Sequence, residues 1–297
     1  MPVLAVAQVA GQQKECFVKK KILLGTLALV VVFTAHAQQY DSEFDFRVSP
    51  LDGGKSVEIT GYEGRKQSIN IPPRIGGIPV TSIGEGAFRG KGIISVAIPN
   101  SVTAIGEAAF AENQLTSVAI PNSVTAIGEA AFAENQLTSV AIPNSVTSIG
   151  YAAFAGNHIH SITIAAGNPN YASEGGILYN KAKTEIVSYP SANGSVIISA
   201  SVTSIGNGAF WGCTSLTSIT IPTSVTSIGG WAFAICTSLT SITIPASVTS
   251  IGGLAFGAWT SAQTIYIQGH ASQAAADRAW GPNWRDRCNA RIIYQQR

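Results

Sequence analysis

SVTSIGNGAFWGCTSLTSITIPT, residues 201–223, is followed at once by SVTSIGGWAFAICTSLTSITIPA, residues 224–246, and a third, decaying copy begins at Ser247. A 22-residue version, SVTAIGEAAFAENQLTSVAIPN, fills residues 101–122 and recurs letter for letter over 123–144. A fixed period in the twenties is the signature of a solenoid: each unit is too small to bury its own apolar face, and stacked neighbours share one continuous core.

Aligned on the Phe, the positions that stay apolar in one unit are Val225, Ile228, Ala232, Phe233, Leu239, Ile242 and Ile244. Leu239–Ile244 alternates as a strand with one buried face should. Pro245 ends it, because Pro has no N–H to donate to a ladder. Ser-Val-Thr-Ser-Ile-Gly reads as an extended turn, and Gly-x-x-Ala-Phe is long enough only for a helical turn or a 3₁₀ piece. Phe recurs at 88, 110, 132, 154, 210, 233 and 256, which predicts a Phe spine inside the stack.

Three residues after the Phe stand Asn113, Asn135 and Asn157, then Cys213 and Cys236. The whole pattern, L-x-x-I-x-I-P-x-S-V-x-x-I-G-x-x-A-F-x-x-C, resembles the BspA-like, or treponemal, class of leucine-rich repeats over roughly residues 80–268. The resemblance implies an α/β solenoid: a curved leucine-rich-repeat array with a parallel sheet on its concave side and short helical or 3₁₀ turns on its convex side. It also implies bacterial secreted or cell-surface proteins, some of them adhesins toward host matrix.

The remaining segments read as follows. Lys19-Lys20-Lys21, an apolar run over 22–35 and Ala35-His36-Ala37 form a signal peptide expected to be cleaved after Ala37, with residues 1–18 as an unused upstream extension. Residues 38–79 lack the period. Phe44–Ser49 and Ser56–Thr60 make a hairpin, and a second pair of short strands is expected around 68–71 and 80–83. This β-rich segment is the N-terminal cap of an array running over 80–270. Residues 167–200 break the array, with a hairpin across Asn180–Lys183. A connecting segment of this kind is where specificity is often carried, or it is a spacer that still supplies core strands. Residues 271–297 make the C-terminal cap: a helix capped by Ser272 and halted by Gly281-Pro282, a closing strand at Arg291–Tyr294, and Trp280 and Trp284 covering the last repeat.

Charged residues make up 11% of the chain, against about 25% in an average domain, while 46% are hydrophobic. Residues 1–37 carry four Lys and one Glu, so removing them leaves fourteen basic against fifteen acidic side chains. A nucleic-acid partner needs a basic face, which this balance does not supply. No catalytic motif is present, and the many Ser are repeat letters with no His base beside them. No enzyme activity and no cofactor are expected. Glu85, Glu107 and Glu129 share one repeat position and stack as a solvated acidic stripe, or as a bridge for a divalent cation. His158 and His160 lie on one strand face, but no third ligand is near in sequence, and no metal is expected. A Cys213–Cys236 disulfide is permitted in an exported chain, subject to stack geometry.

The outward strand positions should be Ser117/Ala119, Ser139/Ala141, Ser161/Thr163, Ser218/Thr220, Ser241/Thr243 and Thr264/Tyr266. This is a smooth, uncharged surface, and its last three pairs are candidate contact residues. Trp211 and Trp231 join them, either as an exposed aromatic patch or packed against each other. The expected function is that of a secreted or cell-surface interaction protein with a protein, host-matrix or glycan partner, no nucleic acid and no membrane span after cleavage. The alternative is a structural cell-envelope or matrix component without a single ligand.

Overall fold

The computed structural model describes residues 40–295; the signal peptide expected over 1–37 lies outside them. The chain winds as a solenoid whose coils are joined by three backbone ladders. The first is built from the Ser-Val-Thr-x-Ile-Gly stretch, expected to be a turn. Its last Ser/Ala-Ile pair is instead a two-residue strand, and the strands at Ala104–Ile105, Ala126–Ile127 and Ser148–Ile149 pair in parallel register. The Gly that follows is required by coil spacing: a Cβ on Gly128 would sit 2.5 Å from the carbonyl carbon of Gly106. Thr hydroxyls reinforce this side, Thr125 Oγ1 donating to the Thr103 carbonyl and Thr147 Oγ1 to that of Thr125.

The second ladder is the expected strand after the Leu. Ser139–Ile142 and Ser161–Ile164 pair in parallel, as do Ser241–Ile244 and Thr264–Gln268, with alternate residues buried.

The third ladder replaces the helical turn expected at Gly-x-x-Ala-Phe. Two residues before and two after the Phe, the backbone is left-handed: Ala108 (φ 49°) and Glu112 (φ 59°), Trp231 (φ 57°) and Ile235 (φ 60°). Left-handed residues cannot continue a right-handed helix. They point alternate N–H groups along the solenoid axis, so that Ala108, Phe110 and Glu112 donate to the carbonyls of Glu129, Ala131 and Ala133 in the next coil. Between them Ala109 and Ala111 close i→i+3 turns within the coil.

Inside the ladders runs the Phe spine. Phe88, Phe110, Phe132 and Phe154 stack with ring centroids 4.9, 5.4 and 5.9 Å apart, and Phe210, Phe233 and Phe256 at 5.1 and 5.9 Å; all seven are fully buried. Between Phe154 and Phe210 the spine is interrupted, and the apolar core divides there into two clusters.

The ends close the stack as expected, with one difference. Phe46–Leu51 and Ser56–Tyr62 form the antiparallel hairpin. The strands at Ser68–Asn70 and Ile78–Ile83, expected as a pair, do not meet. Ser68–Asn70 runs beside Ser95–Ala97, and Ile78–Ile83 lies between Ser56–Tyr62 and Ala104–Ile105. Residues 57–71 are therefore already a coil without the consensus letters, with Tyr62 continuing the spine 5.6 Å from Phe88. At the other end the helix spans Gln273–Trp280 with Ser272 as N-cap, and Arg291–Gln295 pairs in parallel with Thr264–Gln268. Trp284 packs edge-on to Phe256 and Trp280 donates to the Val248 carbonyl, sealing the last coil.

Candidate functional site: the outward strand face and the interrupted coil

The residue three places after the Phe bonds the coils from inside. Asn135 Nδ2 donates to the carbonyls of Phe110, Phe132 and Ala133, and its Oδ1 accepts from the Leu115 N–H, so one side chain links two coils. Asn113 and Asn157 repeat this arrangement. Cys213 and Cys236 take the place of Asn with one bond each, Sγ to the Tyr189 carbonyl and Sγ to the Phe210 carbonyl. Both thiols are free and buried, so the disulfide is not formed. Burial pushes the Cys213 thiol up to about 12 and the Cys236 thiol well above its ordinary value. Trp259 fills the same position in the last coil, its Nε1 donating to the Phe233 carbonyl. The sequence signal for it was the spacing from Phe256, masked by the change of residue type.

Six of the candidate contact residues lie where the alternation places them. Ser218, Thr220, Ser241 and Thr243 are exposed, and Thr264 and Tyr266 half-exposed. Ser241 and Thr243 lie beside Thr264 and Tyr266, and these beside Arg291 and Ile293 of the closing strand. Ser218 and Thr220 lie beside Ser195 and Ile197, with Ser218 Oγ donating to Ser195 Oγ at 2.8 Å. Ile197 is 79% exposed, the one large aliphatic so bare in this block, and sequence reading missed it because its coil was not recognised. Trp211 and Trp231 are not part of this face. They sit on the turn ladder, half-buried, and neither stacks on another ring among the described residues, so they do not pack on each other.

The segment over 167–200 proves to be a hairpin followed by a shortened coil. Tyr171–Glu174 and Ile177–Asn180 pair antiparallel, and Ile177–Asn180 pairs with Glu185–Ser188 across the expected Asn180–Lys183 turn. Tyr171 Oη accepts from the Ile149 N–H and Asn170 Nδ2 donates to the Thr147 carbonyl, covering the open end of the first ladder. Glu185–Ser188 then enters that ladder beside Ser204–Ile205, and Gly194–Ile197 enters the second beside Leu216–Thr220. Tyr189 stands where a Phe would, 5.8 Å from Phe210. Ten residues separate Glu185 from Ser195, where fourteen separate their partners Ser204 and Ser218. One of the four missing residues answers to a bulge at Thr217 in the neighbouring strand; the other three belong to the turn, where a notch of about 640 Å³ opens.

Of the other candidates, Glu107 and Glu129 do stack: burial and Glu107 together raise the Glu129 carboxyl above its usual range. His158 and His160 are exposed and line the notch. Among the described residues no group of three His, Cys, Asp or Glu is placed to hold a metal ion.

Three-ladder coils with an Asn/Cys position and a Phe spine define a leucine-rich-repeat solenoid. The model of the BspA type leucine rich repeat region matches residues 65–174 and 188–276 in six copies, and the chain belongs to that family. Between the two matched stretches lie residues 175–187, which hold the second hairpin strand, Ile177–Asn180, and the start of the shortened coil. Among solved structures the chain is similar to a leucine-rich repeat protein from Eubacterium ventriosum (23% identity, TM-score 0.58, covering 80% of each chain). It is also similar to a leucine rich cell surface protein from Faecalibacterium prausnitzii (23% identity, TM-score 0.50, covering 86% of this chain and 95% of the other). No curated protein matches it. Leucine-rich repeats are in general protein-binding scaffolds rather than catalysts. No helix among the described residues is long and apolar enough to cross a membrane.

Proposed function

We propose that this chain is an interaction protein of a bacterial cell surface or its secreted fraction, binding a protein or matrix partner through the outward strand face of its C-terminal block. The observation that carries the reading is the run Ser218, Thr220, Ser241, Thr243, Thr264 and Tyr266: outward, uncharged, and bordered by the exposed Ile197. Small hydroxyls contribute about 0.5–1.5 kcal/mol per hydrogen bond, so a hydroxyl surface binds by area, with aromatic and aliphatic side chains as anchors. The name of the Faecalibacterium protein of like fold agrees with a surface location.

The test is an array of matrix proteins and glycans probed with residues 38–297. Saturable binding to a defined partner is expected. Tyr266→Ala should weaken it about tenfold or more, while Trp211→Ala and Trp231→Ala, on the turn ladder and off this face, should leave it within about twofold of the parent. The structural alternative is favoured by the identity of residues 101–122 and 123–144, which adds length without adding distinct surface. An array with no partner at any concentration would decide for it.

A further inference from the structure

The notch at the shortened coil has a chemistry of its own. In the regular turn ladder each coil's amides are taken up by the next: Gly90 donates to Ala111, Glu112 to Ala133, and Glu134 to Ala155. The next amide in that row is Gly156 N–H, and it has no acceptor, because the shortened coil turns away at Pro190. Gly156 instead faces Gly212, two coils on. A Cβ built on Gly212 would lie 3.8 Å from the Gly156 nitrogen, so the two glycines leave that donor open from the notch.

The neighbouring carboxylate is open as well. In the preceding coil Glu112 is held by Arg89, Nη2 to Oε1 at 2.5 Å. Glu134 occupies the equivalent position, but Ala111 stands where Arg89 stood. Among the described residues the Glu134 side chain has no hydrogen-bond or ion-pair partner. Its carboxylate lies over Gly156, where a Cβ on that residue would be 2.7 Å from Oε1. Partial burial and the Glu112 charge raise its carboxyl above the usual range, a penalty that a nearby cation removes. Glu134 is the only carboxylate lining the notch, and no Lys or Arg lines it.

We propose that this notch is a docking site for a basic side chain, arginine or lysine, of an extended partner polypeptide. Glu134 is the counter-charge, and the Gly156 N–H donates to the partner's backbone carbonyl. Asn193 and Ser191 on the opposite wall supply further acceptors for a guanidinium, which offers five donors. The arrangement reproduces from outside the contact that Arg89 makes with Glu112 from within. A neutral saccharide leaves the carboxylate unmatched, and no Phe, Tyr or Trp lines the notch for it to stack on. The inference rests on the reading of the chain as a protein-binding scaffold.

The experiment is a titration of the folded chain, residues 38–297, followed by backbone amide resonances. The probe is the peptide acetyl-Gly-Ser-Arg-Ser-Gly-amide, and its control has citrulline, a neutral isostere, in place of arginine. Saturable shifts at Gly156, Asn193 and Gly212 are expected with the arginine peptide. They should need at least tenfold more of the citrulline peptide, and at least tenfold more arginine peptide in Glu134→Gln, an exposed and conservative change. No shift with the arginine peptide, equal affinity for citrulline, or indifference to Glu134→Gln overturns the proposal. So does a stronger response of the same resonances to maltose. If Glu134→Gln also leaves array binding intact, the notch is excluded while the strand-face reading stands. If array binding is absent but the arginine shifts are present, the reverse holds.

Discussion

The coils before the interruption and those after it solve one problem in two ways. Both must satisfy the amide and carbonyl groups at the corner between the Phe and the next strand. In the 22-residue coils a buried Asn does so, with three donor contacts and one acceptor contact shared between two coils. In the 23-residue coils the extra residue lies in that corner and lets the chain close a turn on itself. Leu216 N–H donates to the Cys213 carbonyl and Leu239 N–H to that of Cys236, so the side chain has only one carbonyl left to serve and a thiol suffices. Coil length and corner residue are thus one choice: a shorter coil needs a side chain with both donor and acceptor, and a longer one does not.

What the two blocks share should respond alike. Phe132→Ala and Phe233→Ala each empty a fully buried ring position between stacked neighbours, and each should cost about 3–5 kcal/mol by denaturant unfolding. A change below about 1 kcal/mol in either would show that its ring is not enclosed. What they do not share should separate them. Asn135→Ala strands the Leu115 N–H in the core and takes one of two donors from the Phe110 carbonyl, which keeps Asn113 Nδ2, at an expected cost of about 2–3 kcal/mol. Cys236→Ala removes one weak sulfur donor and should cost about 1 kcal/mol. Equal losses would break the contrast. The smallest effect is expected from deleting residues 123–144. Asn122 then joins Ser145, and because 101–122 repeats the deleted letters every inter-coil contact is regenerated. One cooperative transition should remain; a transition split in two would mean that the identical coils are not equivalent in the stack.

Much of this was legible in letters. The period, the inward positions of Val, Ile, Leu and Phe, the strand stopped by Pro, and the capping helix with its two Trp could be read because they obey local periodicity or local cap chemistry. The coil over 57–71 could not, because it keeps the path but not the consensus. Its core signals were Val57 and Ile59 in the hairpin strand, Tyr62 in the place of a Phe, and Ile69 and Ile71 in the place of strand residues. Nor could the coil over 185–200: with four residues missing it falls out of step with the period, and so Ile197 was not placed on the outward face.

The sequence by itself determined that units stack, which residues face inward, and where the stack is interrupted, since a repeated apolar pattern has one way to be buried. Only the tertiary structure decided how the backbone is satisfied between units. The Gly-x-x-Ala-Phe segment is a ladder and not a helix, and Asn and Cys act across coils. A shortened coil opens a notch where Gly156 and Gly212, 56 residues apart, face each other. Those features depend on which coil lies next to which and at what distance. Residue type within one unit does not carry that information.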